Sequence, residues 1–167
     1  CDDPHVIAGQ GVIGLEILED LPDVDEIYVP IGGGGLAAGI LLAVKTKNPK
    51  IKVIGVQSKS FPAMKNSLES GELKSVGGEG TIADGISVKK PGQITFSIIK
   101  DLIDDIVLVD DADIVKTMFL LMERGKMVVE PAGAVALAYL LAAKPSPGKK
   151  VVPLLGGGNV AMYLLGQ

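Results

Sequence analysis

The chain has 167 residues, of which 47% are hydrophobic and 4% aromatic, and it carries a formal net charge of −4. That length suits one globular domain, residues 1–167, which buries roughly 70% of the surface that its unfolded form exposes. The basic residues are scattered and aromatic rings are few, which argues against nucleic-acid binding. The longest apolar stretch, residues 131–143, is shorter than the roughly 20 residues of a membrane span, which argues against membrane insertion.

Apolar runs alternate along the chain with segments of helical periodicity, which predicts strands and helices in turn. In chain order, we predict a helix through about residue 20, a strand at 26–31, a helix at 36–47, a strand at 51–56, a helix at 60–70, a long glycine-rich loop at 71–92, a helix at 93–102, a strand at 106–109, a helix capped by Asp110 or Asp111, a buried helix at 132–143 and a strand at 150–155. This order predicts the α/β class, an open, mostly parallel twisted sheet of about four strands with helices on both faces.

Four consecutive glycines, Gly32, Gly33, Gly34 and Gly35, follow the first predicted strand and precede a helix that begins near Leu36. Glycine permits positive φ angles and lets backbone N–H groups approach a bound group closely. A helix N-terminus adds the positive end of its dipole, so a phosphate is the favoured guest. A turn that binds nothing would need only one or two glycines, and we therefore predict an anion cradle at residues 32–36.

A dinucleotide site is the specific alternative, because Gly33, Gly35 and Ala38 fit the pattern G-x-G-x-x-A after a strand. The next strand, however, ends in Gln57-Ser58-Lys59 instead of the acidic residue that binds the ribose of NAD, so an NAD site is disfavoured, whereas a 2′-phosphate cofactor near Lys59 stays open. Glycines at 9, 11 and 14 have the same spacing but follow no strand, and we interpret this match as coincidental.

A second glycine loop, residues 156–159, follows the last predicted strand. The carboxyl ends of parallel strands meet at one edge of a sheet, so both glycine loops are expected to line one crevice. Asp84 and Glu130 are candidate buried acids with shifted pKa values, but we favour a role for each in capping a helix or loop.

The chain contains one cysteine, Cys1, and one histidine, His5. A single cysteine forms no internal disulfide, and this pair supplies no zinc ligand set, so we expect a reducing, cytoplasmic setting with no metal site. His5 is expected to be exposed. Because the chain starts at Cys1 and not at Met, we expect it to be part of a longer polypeptide.

Five segments of the chain form a recognisable set: Val6–Gly11, Val29–Ile40, Thr81–Ile86, Val128–Ala134 and Leu155–Asn159. In order and spacing they resemble the later half of threonine dehydratase, one of the serine/threonine ammonia-lyases among the fold-type-II pyridoxal-phosphate enzymes, a group that includes serine racemase. The resemblance implies that residues 32–36 hold the phosphate of pyridoxal 5′-phosphate, that Gly85 lies beside its ring and that Gly156 lies near its pyridine nitrogen.

The family deaminates L-threonine or L-serine to a 2-oxo acid and ammonia, so the resemblance implies this activity, a small amino-acid substrate, a homo-oligomer and a role in amino-acid metabolism such as isoleucine biosynthesis. Two alternatives stay open. One is a racemase or another β-elimination enzyme of the same group, and the other is a non-catalytic module for anion binding or assembly.

Three departures from the family pattern limit what the resemblance implies. The family's Schiff-base lysine, in a serine-phenylalanine-lysine motif, and its serine-glycine-asparagine loop are not in these residues, so we assign no catalytic residue and expect no activity from this part of the large domain alone, without the small domain. Gly156 replaces a serine that usually meets the pyridine nitrogen. Gln57 and Ala63 stand where metal-activated members have carboxylates, so we predict no cation site.

Overall fold

The computed structural model describes residues 2–144 and 147–160. Six α-helices and four β-strands follow one another in these residues, joined by a 3₁₀ turn at Asp84–Ile86 and a π-helical turn at Leu121–Gly125. The elements are α1 (Pro4–Asp20), β1 (Glu26–Pro30), α2 (Gly35–Lys47), β2 (Lys52–Ser58), α3 (Ala63–Ser70), α4 (Gln93–Leu102), β3 (Asp105–Val109), α5 (Asp111–Leu120), α6 (Pro131–Ala143) and β4 (Val151–Pro153). Each predicted element is present within a few residues of its predicted bounds.

The four strands form one parallel sheet in the order β3-β2-β1-β4, as the α/β prediction requires. All five residues of β1 are buried, because helices cover both faces of the sheet. Successive side chains point to opposite faces, so Ile27 and Val29 pack with α1, α2 and α4, whereas Tyr28 packs with α5 and α6. The apolar run 131–143 is the buried helix α6, and among the described residues no helix combines the length and apolarity needed to cross a membrane.

Helices α1 and α2 pack at very short range through glycine. A Cβ atom on Gly39 of α2 would lie 2.8 Å from the Gly11 nitrogen of α1 and closer still to the Ile7 carbonyl oxygen. Gly11 and Gly14 are buried at the same contact, whereas Gly9 is exposed with open space around its α-carbon. Gly11 and Gly14 therefore serve helix packing and Gly9 does not, which agrees with the interpretation of the dinucleotide spacing as coincidental.

Acidic residues near the helix N-termini act over longer distances than the sequence analysis predicts. Asp3 caps α1 locally, and Asp2 accepts hydrogen bonds from the backbone N–H groups of the first three residues of α4, at 2.8, 2.9 and 3.1 Å. Asp110 is the N-cap of α5 by position, as predicted, but its side chain makes no capping hydrogen bond. Asp110 pairs with Lys59, and Asp111 accepts from the Thr81 hydroxyl at 2.6 Å and the Ile82 N–H at 2.9 Å.

Candidate functional site

A cavity of about 270 Å³ opens where β1 ends, and the two glycine loops face each other across it. Its lining includes every residue that the sequence analysis proposes for the cofactor: Gly32, Gly33, Gly34, Gly35, Leu36, Gly85 and Gly156. Pro30, Ile86, Glu130, Ala132 and Gly133 complete the lining, so no lysine or arginine lines this pocket of the described chain. The volume lies near the lower end of the roughly 300–1,000 Å³ of small-molecule sites.

The first glycine loop interrupts the backbone between β1 and α2. Gly34 is the N-cap of α2 and has φ +99° and ψ −6°, so helical dihedrals do not run through the loop. Within residues 2–144 and 147–160, no N–H group of residues 32–36 donates a hydrogen bond to a protein atom. The first turn of any helix leaves such donors unpaired, and here they border the cavity.

Close packing explains why glycine occupies two of these positions. A Cβ atom on Gly34 would lie 2.9 Å from side-chain atoms of Met64, Thr95 and Ile99, in addition to the strain of a positive φ. A Cβ atom on Gly32 would lie 3.0 Å from the α-carbon of Ile86. The loop therefore packs directly against the 3₁₀ turn at 84–86, and this contact brings Gly85 to the cavity.

The second glycine loop lies against the N-terminus of α6. A Cβ atom on Gly133 would overlap the backbone of Gly156, with 3.0 Å to its nitrogen and less to its carbonyl group. No atom of the described residues, 2–144 and 147–160, lies within 4 Å of the Cβ position of Gly156 itself. The site of the missing family serine therefore has room for a side chain.

Glu130 organises this second loop. Its N–H donates to the Gly157 carbonyl at 3.1 Å, and its carboxylate accepts from the Asn159 N–H at 3.3 Å and packs against the α-carbon of Gly157, where φ is +80°. Glu130 is the N-cap of α6 by position, but its side chain makes no capping hydrogen bond to that helix, so of the two predicted roles its carboxylate takes the one in the loop. It also lines the cavity.

The other polar candidates lie outside the cavity. Asp84 is exposed and accepts from the Gly85 N–H at 2.8 Å, which confirms its predicted local role in the loop. His5 is exposed, as predicted. Lys59 pairs with Asp110 and is not part of the cavity lining, so the structure gives no support to a 2′-phosphate cofactor beside it. Cys1 lies outside the described residues.

Two buried polar side chains, for which the sequence predicts no such role, support the first glycine loop. Gln57 is buried, donates to the Ile31 carbonyl at 3.2 Å and accepts from the Lys65 N–H at 2.9 Å. The Thr95 hydroxyl donates to the Gly33 carbonyl at 2.7 Å from 62 residues away along the chain. Within the described residues, no group of three or more histidine, cysteine or acidic side chains is suited to hold a metal.

Two groups with shifted pKa values, the Glu26 carboxyl and the Tyr28 hydroxyl, lie towards the opposite, amino-terminal end of the strands. The Lys149 ammonium bonded to Glu26, with further help from the Tyr28 hydroxyl, lowers the pKa of that carboxyl below its ordinary value of 4.5 despite burial. Burial and the bond to Glu26 raise the pKa of Tyr28 above its ordinary value. These groups lie towards the end of β1 that is remote from the cavity, and we assign them a role in stabilising the sheet.

Comparisons with known proteins agree with this arrangement. The catabolic L-threonine dehydratase TdcB of Escherichia coli (strain K12) is 50% identical over 169 residues, which cover 99% of this chain and 51% of that protein. The solved T.th. threonine deaminase is 38% identical with a TM-score of 0.89, covering 96% of this chain and 59% of that one. The solved serine racemase of maize is also 38% identical, with a TM-score of 0.88 and coverage of 96% and 50%.

The chain thus spans about half the length of the curated relatives that it matches, between 41% and 51% for the first two. These similarities confirm the resemblance to threonine dehydratases that the five sequence segments carry. A family model described as "Pyridoxal-phosphate dependent enzyme" matches residues 1–157, a range that contains both glycine loops. The chain therefore belongs to the family of pyridoxal-phosphate-dependent enzymes.

Proposed function

We propose that residues 32–36, Gly85 and Gly156 bind pyridoxal 5′-phosphate, and that the enzyme carrying this chain deaminates L-threonine or L-serine to a 2-oxo acid and ammonia. One observation carries the proposal: seven residues assigned to the cofactor from sequence line a single cavity, and the donors of residues 32–36 have no protein partner in the described chain. The strong similarity to a threonine dehydratase supports the choice of reaction.

The residues present fit a phosphate held by the backbone alone. The N–H groups at the N-terminus of α2 supply hydrogen bonds, and the helix dipole supplies a partial positive charge, roughly half an elementary charge. No basic side chain of the described residues lines the cavity, so the cradle compensates the phosphate charge through these oriented dipoles. Because Gly85 has no side chain, it leaves room at this side of the cavity for the ring of the cofactor.

Pyridoxal phosphate, when bound, supplies the electron sink that stabilises the charge left by loss of the α-proton. This chain's own contribution is to hold the phosphate, to shape the cavity with glycine backbones and to fix the second loop through Glu130. We assign none of its residues to proton transfer, because the family's lysine motif is not in these residues. We therefore propose that residues 1–167 form one domain that is a partial catalytic region, inactive by itself.

A serine racemase is the second candidate, because the solved racemase of maize and the solved T.th. deaminase are equally similar to this chain at 38% identity. The E. coli relative is named catabolic, so it offers no support for a role in isoleucine biosynthesis. The single cysteine supports a cytoplasmic setting. Exposed apolar side chains on α1, at Val6, Val12 and Leu15, support association into a homo-oligomer.

The test uses the full gene product that carries this chain. After titration with pyridoxal phosphate, it is incubated with L-threonine and with L-serine, and the 2-oxo acid and D-serine are measured separately. Rapid 2-oxo acid formation supports the deaminase, whereas D-serine as the main product from L-serine would support the racemase. A gene product that neither binds pyridoxal phosphate nor forms either product would refute both.

The claim that this chain lacks the reactive lysine has its own test. The 167-residue chain is incubated with pyridoxal phosphate, reduced with borohydride and analysed by peptide mass spectrometry. We expect no stoichiometric adduct on any single lysine. A stoichiometric pyridoxyl group on one lysine of residues 1–167 would overturn the claim.

A further inference from the structure

Thr95 is a buried polar residue whose hydroxyl reaches the first glycine loop from behind. It lies in the first turn of α4, is fully buried and donates to the Gly33 carbonyl oxygen at 2.7 Å. The Gly92 N–H donates to the same oxygen at 3.3 Å. The Gly33 carbonyl is therefore held on the α4 side of the loop, away from the cavity.

The direction of this carbonyl fixes the direction of the next N–H. All described peptide bonds are trans, and in a trans peptide the C=O and the following N–H point in opposite directions. Because the Gly33 oxygen faces α4, the Gly34 N–H faces the other way, towards the cavity that both residues line. Thr95, through the shorter of the two hydrogen bonds to this oxygen, thereby helps to orient one donor of the cradle without touching the ligand.

A peptide between two glycines needs such a restraint. Both flanking residues accept positive and negative φ with little steric penalty, so the peptide can rotate about its long axis. Rotation would turn the Gly33 oxygen into the cavity, replacing a donor with an acceptor directed at the phosphate. The part of the chain that the structure describes places no basic side chain in the lining to offset that repulsion.

Local roles for the Thr95 hydroxyl are weaker. Its other contact is the Gly92 carbonyl of its own helix cap at 3.2 Å, and one hydroxyl proton can be donated to only one of the two oxygens at a time. The backbone N–H of Thr95 is already bonded to Asp2. A valine would fill the same volume, so packing alone does not require the hydroxyl.

We propose that Thr95 is a positioning residue for phosphate binding: its hydroxyl holds the Gly33–Gly34 peptide in the orientation that presents the Gly34 N–H to the phosphate. This inference rests on the proposed function, because it concerns the same cradle. It adds to the phosphate site a residue of α4 that lies outside the glycine motif.

The test compares Thr95→Val, which keeps the volume and removes the hydroxyl, with Thr95→Ser, which keeps the hydroxyl and removes the methyl group. Affinities for pyridoxal phosphate and for pyridoxal, which lacks the phosphate, are measured on the full gene product. We expect Thr95→Val to weaken pyridoxal phosphate binding by about ten- to a hundredfold, the loss typical of one hydrogen bond to a charged group. Thr95→Ser should stay within about threefold of the wild type, and pyridoxal affinity should change little in either variant.

Thr117→Val is the matched control. Thr117 is also buried, and its hydroxyl donates to a backbone carbonyl, that of Asp113 at 2.8 Å, but it lies on α5 outside the cavity lining. It should lose stability without losing phosphate affinity. A packing role for Thr95 predicts instead that Ser is worse than Val, and that order of affinities would overturn the inference.

A second measurement needs no variant. In the wild-type protein titrated with inorganic phosphate, the amide resonance of Gly34 should shift together with those of Gly35 and Leu36. A Gly34 amide that stays still while its neighbours shift would overturn the inference, as would equal phosphate-ligand affinities of wild type and Thr95→Val. If the wild type binds neither pyridoxal phosphate nor phosphate, the proposed function itself fails and this inference fails with it.

Discussion

Substitution of Gly39 by alanine should separate α1 from α2 and destabilise the fold. The added Cβ would lie 2.8 Å from the Gly11 nitrogen and from the Gln10 Cβ, and closer to the Ile7 carbonyl oxygen. Two of these three neighbours are backbone atoms of a helix, so no side-chain rotation relieves the overlap. The helices must move apart, which opens gaps elsewhere in their contact.

The expected free-energy change follows from two opposing effects. Overpacking a core contact costs typically 1–3 kcal/mol, and we take about 3 because the obstacle is backbone. Replacing glycine by alanine inside a helix returns about 1 kcal/mol of helix propensity. The net loss is therefore about 2 kcal/mol, which lowers the melting temperature by roughly 4–8 °C in a protein of this size.

Gly9→Ala is the matched control, because Gly9 lies in the interior of α1 and no described atom of the chain lies within 4 Å of its Cβ position. It gains helix propensity without overlap, so its stability should rise by about 0.5–1 kcal/mol. Urea denaturation of the wild type and both variants measures the two changes. The reasoning is refuted if Gly39→Ala is as stable as the wild type, or if both substitutions destabilise the protein equally.

Three further predictions concern the remaining contacts. Asp2→Ala removes the carboxylate that accepts hydrogen bonds from three N–H groups of α4, and in urea denaturation it should lower the free energy of unfolding by about 1 kcal/mol. Asp2→Asn can still cap the helix and should lose less. Equal losses would contradict the capping role. The folded pKa of Glu26 lies below its unfolded value of 4.5, chiefly through Lys149, so the stabilisation from this carboxylate is present above pH 4.5 and is lost as pH falls through the folded pKa. In denaturation at a series of pH values, Glu26→Gln should therefore lose less stability in acid than the wild type does. Identical acid profiles would contradict this. Gly156→Ser should fold with nearly unchanged stability, because no atom of the described chain occupies its Cβ position, and should bind pyridoxal phosphate more tightly by adding a hydroxyl at the cavity. Gly157→Ser, at φ +80° against Glu130, should instead be destabilised, and the opposite order in thermal melting would refute the steric argument.

Local patterns in the sequence predict the elements and the first glycine loop because their causes are local. Apolar periodicity identifies helices and strands, and four glycines after a buried strand indicate a backbone site. Some side-chain roles have no such signal. Glu130 precedes Pro131 at the start of α6, which suggests a cap, yet its carboxylate bonds to Asn159, which reaches it only through the fold.

The features that local patterns do not predict are long-range contacts from polar side chains to backbone atoms. Thr95 and Gly33 are 62 residues apart, and Asp2 and Thr95 are 93 residues apart. Neither pair forms a motif, because a threonine or an aspartate near a helix start satisfies local capping rules equally well. Only the folded arrangement of α4 behind the glycine loop reveals that Asp2 caps α4 and that Thr95 bonds to the loop.

The location of the cavity follows from the strand order. From β1 the chain proceeds outward through β2 to β3, and then returns across the sheet to place β4 on the other side of β1. The connections therefore diverge between β1 and β4, which is the switch point where parallel α/β sheets bind ligands. The loops that follow these two strands contain residues 32–35 and 156–159, so adjacency of β1 and β4 alone brings both glycine loops to one crevice. Pairing β4 beside β3 would keep every element and every glycine unchanged and would still separate the two halves of the site.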